Sequence, residues 1–318
     1  NPAAPVRTGG YDTSGYAYSR GGEVRDFVFP ADLLREGAAP DIATQFLLVA
    51  ADEALKDSGL LAGGVDRNET GVVLSTNFGG INSGERFLAA WPGQGAPAAG
   101  DFAEYDFLRG ADCVADAWSL QGPRMALSLS CSSGTAAIGH AAGLIRCGRA
   151  AAVVTGGYDA LSRFCWSGLS ALKTMTKDEL RPFDKKRDGT IFSEGAGLLV
   201  LEDLARARAR GARIYAEVLG YGLNNNAHHM TAPDNDGAGS AAVMRMALAD
   251  AGVAPERVDH VNMHGTGTKY NDSSETQAVK TVLGPRAAQV PITANKSALG
   301  HMMGAAGSVE AIASVLTI

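Results

Sequence analysis

The chain has 318 residues, of which 46% are apolar and 19% charged, a balance that supports a folded core and excludes a disordered chain. Its net charge of −6 excludes the basic surface of a general nucleic-acid coat, while leaving room for a local basic patch that faces an acidic protein. Four cysteines stand at 113, 131, 147 and 165 without a C-x-x-C pair or histidines at finger spacing, which points away from zinc sites and disulfides and toward a reducing, cytoplasmic setting.

The opening NPAAPVRTGG is loop-like and has no signal-peptide core. Residues 42–59 then place Phe46, Leu47, Ala50, Ala54 and Leu55 on one helical face. Runs of strand length follow at GVVLST (71–76), MALSLS (125–130), AAVVTGG (151–157), GAGLLVLE (195–202), IYAEVLGYG (214–222), HVNMHG (260–265) and VPITAN (290–295). Helical patterns at 238–252 and 273–283 lie among them, so the chain reads as α/β with buried sheets. Met125–Ile145 is uncharged and as long as a membrane span, but its Ser, Thr, Gly and His content reads as a buried strand plus helix. The 40 glycines have no collagen-like period and mark tight turns and close-packed helices. The arginine-rich stretch 203–213 is the best boundary by composition, dividing the chain into 1–204 and 205–318, although a solvated helical face explains it equally well. Two distant segments echo each other: MALSLS leads into CSSGTAAIGHAAGLI, and VPITAN leads into KSALGHMMGAAGSVEAI. Such an echo is what an internally duplicated fold with facing halves would leave.

Three residues stand where chemistry is done. Cys131 falls directly between a strand and a helix, where backbone N–H groups and the helix dipole favour thiolate and a sharp turn presents the sulfur. Its neighbours in SCSSG are small enough to leave room for an acyl group, whereas Cys113, Cys147 and Cys165 read as structural. His264 ends a strand before two glycines, and His301 lies near the start of the second small-residue helix, five residues after Lys296. One thiol with two imidazoles amounts to a nucleophile plus two N–H donors for an oxyanion or enolate.

SCSSG, HGTGT and NKSALGH, in this order and separated by 133 and 37 residues, closely resemble the motifs of the beta-ketoacyl-acyl carrier protein synthases, condensing enzymes of the thiolase superfamily. RPFDKKRDGTIFSEGAG (181–197) and HHMTAP (228–233) are similar to the type II elongating branch, and the resemblance runs from about residue 16 to the last residue. It implies a thiolase-like fold of two similar halves layered α-β-α-β-α. It further implies decarboxylative condensation of an acyl group on Cys131 with a malonyl carrier thioester, with His264 and His301 driving the decarboxylation. Lys296 matches the supporting lysine of the family, Glu275 is expected to pair with it, and Asp272 matches a further acidic position. The same DSSE stretch also reads as a capping arrangement with Asp272 at the cap and Glu275 reaching back.

By the same resemblance Lys173 matches a carrier-docking position and His229 and Thr231 a substrate-gating loop, while Lys185, Lys186 and Arg187 form a second basic cluster that suits an acidic carrier protein or, equally, a solvated turn. No metal or organic cofactor is implied, since the substrates ride on the phosphopantetheine of acyl carrier protein. A homodimer is implied, a heterodimer with a chain-length factor is compatible, and neither nucleic acid nor membrane is expected as a partner. The family's opening apolar strand and its C-terminal Gly-Phe-Gly-Gly loop have no counterpart here, so the 318 residues are expected to be a trimmed portion of a longer chain. Two alternatives compete. A non-catalytic chain-length-factor-like partner usually lacks the cysteine that stands here at 131, and a thiolase-like coenzyme A acyltransferase would carry a second catalytic cysteine, yet none follows Cys165.

Overall fold

The longest apolar runs fold into the strands that are covered on both faces. In the computed structural model, which describes residues 13–33, 40–62, 64–91, 99–229 and 231–317, β1 (Thr70–Ser75) and β3 (Ala152–Asp159) are buried at every position. They pair in parallel at the centre of a four-stranded sheet of order β2-β1-β3-β4. β2 (Arg124–Leu127) adds in parallel to β1, and β4 (Gly195–Glu202) adds antiparallel to β3. A second, two-stranded parallel sheet joins β5 (Val261–Asn262) and β6 (Ile292–Thr293).

The helices, in chain order, are α1 (Ile42–Ser58), α2 (Ile81–Ala90), α3 (Ala99–Glu104), α4 (Arg109–Trp118), α5 (Ser133–Arg146), α6 (Arg163–Ala171) and α7 (Leu204–Ala209), then α8 (Ala238–Ala251), α9 (Lys269–Leu283), α10 (Lys296–Leu299) and α11 (Ala306–Val315). Strand alternation distributes them. Val72, Leu74 and Val154 point to one side, into a core with Phe46, Leu47 and Leu55 of α1 and Val114 of α4. Val73 and Val153 point to the other side, onto Ala137 and Ala141 of α5. The second sheet repeats this alternation: Asn262 bonds the Glu310 carbonyl of α11, while Val261 and Met263 pack with Val279 and Leu283 of α9 and Met244 of α8. The result is five layers, α-β-α-β-α, as expected for the thiolase-like architecture.

α5 and α11 form the middle layer and begin with the two echoing small-residue segments. Their first turns touch backbone to backbone: a Cβ on Gly134 would lie 2.6 Å from the Ser308 nitrogen, and one on Gly307 would lie 2.3 Å from Thr135 Oγ1.

Some expected elements differ. The run at 214–222 forms no strand among the described residues. It threads between the middle and outer layers, with Tyr221 against Gly139 and with Gly220 and Gly222 against α8, and it forms no ladder with any strand among the described residues. β5 and β6 keep only two residues each, because the chain leaves the ladder early to form the loop that carries His264 and the turn into α10, which begins at Lys296. α9 starts at Lys269, a turn before the expected position, with Thr268 at its N-cap position. No helix among the described residues is long and apolar enough to cross a membrane.

Candidate active site

The sulfur of Cys131 is presented by a tight reversal. β2 ends at Leu127, Ser130 takes a left-handed conformation at φ 55°, and α5 begins at Ser133. The Ser133 hydroxyl accepts the Leu129 N–H at 2.7 Å and lies 2.6 Å from the Ser130 carbonyl, so the turn is stapled by its own side chain. The helix start does not leave the thiol easily ionised, contrary to the sequence expectation. Burial pushes the Cys131 thiol up, and the Lys296 charge and the residue's own N–H pull it back only in part. Cys113 is pushed up to about 11 by burial and Cys165 is also raised, while Cys147 is exposed.

His301 lies on the loop between α10 and α11, ahead of the helix rather than inside it. Its main chain is tied on both sides, donating to the Ile191 carbonyl at 2.8 Å and accepting from Ser193 at 3.0 Å. On the ring, Nδ1 accepts the Met303 N–H at 3.1 Å, which leaves the proton on Nε2, and Nε2 stands 3.0 Å from Cys131 Sγ. His264 reaches the same state from another direction. Its Nδ1 accepts from Lys296 Nζ at 3.1 Å, so its Nε2 also carries the proton. The two rings are 5.3 Å apart and nearly perpendicular, at 89°. One nitrogen of each and the Cys131 sulfur all fall within 4.8 Å of one another. Burial, and after it the Lys296 charge, holds both imidazoles well below their ordinary value, so they are neutral donors at physiological pH. A metal ion could bridge atoms so spaced, but these tautomers present N–H protons rather than lone pairs.

Lys296 is the hub. It is 1% exposed and spends its three N–H groups on His264 Nδ1, on the His264 carbonyl at 2.8 Å and on Glu310. The expected Lys296–Glu275 pair is therefore not formed. Glu275 accepts from two consecutive amides, His264 and, at 2.9 Å, Gly265, where the chain leaves β5 and these donors would otherwise lack a partner. Sequence reasoning passed over Glu310, although a lone carboxylate in the apolar stretch MMGAAGSVEAIASVL was the available signal.

Asp272 is not the helix cap. It sits one turn inside α9 and accepts from Phe183 at 2.7 Å and Gly267 at 3.2 Å, holding the 181–187 segment against the His264 loop. Arg187 is corrected as a docking residue. Its guanidinium is committed to the start of α9 through the carbonyls of Thr268 and Lys269 and the Ser273 hydroxyl, with Asp272 at 3.6 Å. Lys173, Lys185 and Lys186 are exposed. His229 and Thr231 are exposed as well, joined by a Thr231 N–H to His229 Nδ1 bond of 3.1 Å, and no described contact brings them to Cys131.

Residues 15–207 match the family described as beta-ketoacyl synthase, N-terminal domain, and residues 215–318 match beta-ketoacyl synthase, C-terminal domain. The chain belongs to the beta-ketoacyl synthase family. This synthase is 37% identical to the 3-oxoacyl-[acyl-carrier-protein] synthase 2 of Vibrio cholerae serotype O1, an alignment covering 97% of this chain and 77% of the relative. It is 36% identical to the enzyme of the same name from a Synechocystis strain, over 97% and 76%. Its fold superposes on the ishigamide ketosynthase/chain length factor with a TM-score of 0.88 at 35% identity, covering 99% of this chain and 78% of the other. It also superposes on a type II PKS acyl-carrier protein in complex with its ketosynthase, with a TM-score of 0.86 at 32% identity and coverage of 99% and 78%. The synthase is a carbon–carbon bond-forming acyltransferase, joining an acyl and a malonyl thioester into a 3-oxoacyl thioester. The alternative of a non-catalytic chain-length-factor-like partner is not favoured by these relatives.

Proposed function

We propose that Cys131 accepts the acyl group and that His264 and His301 hold the enolate formed when the malonyl partner loses CO2. The observation that carries this reading is the convergence of one thiol and two neutral imidazoles, a nitrogen of each lying within 4.8 Å of the sulfur and of the other. In the first half-reaction the Cys131 sulfur attacks a thioester carbonyl, and the carrier thiol departs with the proton. His301 serves here as a donor: its N–H stabilises sulfur as it becomes anionic, because Nδ1 is already occupied by Met303. In the second half-reaction the malonyl C–C bond to the carboxylate breaks and CO2 leaves. The electron pair spreads onto the thioester oxygen, which receives both imidazole N–H groups, with the Lys296 charge behind His264. The carbanion then attacks the acyl carbonyl and expels the Cys131 sulfur, with the Cys131 amide as an oxyanion donor. No metal or organic cofactor enters this scheme.

Acyl carrier protein, presenting its phosphopantetheine thiol, is the proposed partner. The carrier–ketosynthase complex among the structural relatives supports this, as do the exposed Lys173, Lys185 and Lys186, which suit an acidic partner. We assign pairing with a second copy to β2, the edge strand of its sheet, which after Arg124 consists of the start of the uncharged run MALSLS and has no described strand on its outer side. A chain-length factor on that edge is the other arrangement, as in the ishigamide relative. The four free cysteines fit reaction in the cytoplasm. The test is an intact-protein mass spectrum before and after incubation with an acyl carrier thioester. An acyl adduct mapping to Cys131, and absent from Cys131→Ala, is expected; an adduct that persists in the variant would move the nucleophile elsewhere.

A further inference from the structure

Cys131 and His301 come from segments 170 residues apart in sequence, yet their reacting atoms stand 3.0 Å from each other. Between the two segments lies a buried carboxylate that the reaction scheme does not use. Asp159, at the end of β3, is 0% exposed and has no cation among its described partners. One oxygen, Oδ2, accepts the Gly304 N–H at 2.7 Å and shares the Asn77 N–H at 3.2 Å. The other, Oδ1, accepts the Thr76 hydroxyl at 2.6 Å and the amides of Asn77 and Phe78 at 3.0 Å each.

We propose that Asp159 is the positioning residue that sets the Cys131–His301 geometry, holding the histidine loop through Oδ2 and the segment behind the cysteine turn chiefly through Oδ1. Toward His301, the Gly304 bond fixes the residue after Met303. Met303 is itself in the left-handed region at φ 51°, and its N–H orients the His301 ring. Gly304 is required there, since a Cβ would meet Asp159 Oδ2 at 2.7 Å and the Asn77 nitrogen at 3.0 Å. Toward Cys131, Asn77 reaches the Ser133 hydroxyl at 3.1 Å, and that hydroxyl staples the 129–133 turn. The inference rests on the assignment of Cys131 and His301 given above.

Burial pushes the Asp159 carboxyl up to about 6, against the hydrogen bonds from Thr76, Gly304, Phe78 and Asn77. The titratable groups that face it are Tyr158, Cys165 and Cys131, all pushed upward by burial and neutral near pH 6. The two imidazoles are held well below their ordinary value and do not gain charge there either. Glu194, at about 7, serves the amides of Val24 and Leu161 instead. A proton on Asp159 turns one acceptor oxygen into a donor facing N–H groups, so one of the two holds is released. Activity that depends on the ionised form is present above this pKa and is lost as pH falls through about 6.

The experiment measures Cys131 acylation and malonyl-dependent CO2 release separately, from pH 5 to 8, for the unmodified protein, Asp159→Asn and Thr76→Val. In Asp159→Asn, CO2 release is expected to fall about 10²-fold with KM changed less than about two-fold, and the acid limb near pH 6 to disappear. Thr76→Val, which keeps the carboxylate but removes one donor to it, is expected to move that limb to higher pH by roughly half a unit or more. A soluble Asp159→Asn protein with unmodified rate and acid limb overturns the proposal. Should Asp159→Asn fail to fold, an acid limb left in place by Thr76→Val overturns it and a shifted limb supports it. Lack of acylation at Cys131 in the unmodified protein would instead overturn the reading of the site.

Discussion

His264 takes its tautomer from a charged side chain, Lys296 Nζ at 3.1 Å, whereas His301 takes its own from a main-chain amide, Met303 at the same distance. The first anchor is electrostatic. It brings positive charge to the place where an enolate oxygen would develop, but it depends on Glu310 to hold the ammonium and is lost with one substitution. The second anchor is conformational. It adds no charge, and it lasts as long as the loop keeps Met303 at its positive φ. One half of the site thus supplies field and the other supplies geometry, and an active centre built this way is weakened differently on its two sides.

The strongest way to break this contrast is His301→Ala. Self-acylation of Cys131 is expected to survive within a few-fold, while malonyl-dependent CO2 release falls about 10²–10³-fold, the cost of one lost oxyanion donor. Retention of normal CO2 release would show that His301 is not such a donor. Lys296→Met tests the charged side. It leaves the Glu310 carboxyl, already raised by burial, without its cation, and is expected to cost about 3–5 kcal/mol by denaturant titration. Adding Glu310→Leu should restore most of that stability and none of the CO2 release, separating the fold role of the pair from the field it supplies. If the single variant unfolds at the unmodified midpoint, the pair is not the buried one described. The smallest effect belongs to Glu275→Gln, which leaves one of the two amides at 264 and 265 without its acceptor, at about 1–3 kcal/mol. This variant should lower CO2 release only modestly and leave acylation alone; an equal loss in both steps would mean that Glu275 supports more than the His264 loop.

Much of this was legible in the residues. The alternation of apolar runs with 3.6-period segments located the central sheet and most of its covering helices, and the small residues around Cys131, His264 and His301 marked the loops that meet. The pairing of charges was not legible. Glu275 and Glu310 are both acids within reach of Lys296 by sequence logic, and what separates them is that two main-chain amides leaving β5 claim the first. Arg187 reads as a surface cation in a run of three, and only the packing of 181–187 against α9 turns it inward. The run at 214–222 has the composition of a strand, but strand formation depends on a neighbour that local sequence does not specify. The position of Cys131 between β2 and α5 is legible in the residues and its acidity is not, since helix-end amides can be read from the sequence while the loss of solvent around the sulfur cannot.

Gly134 at the start of α5 packs directly against Gly307 at the start of α11. Each of these helices carries a reacting segment at its N-terminal end, so the spacing of the catalytic atoms is inherited from how far two main chains can approach, here with no carbon between them. A single added methyl at either glycine would act as a wedge at the hinge of a pair of tongs. It would touch neither the thiol nor an imidazole, yet would open the gap between them from behind.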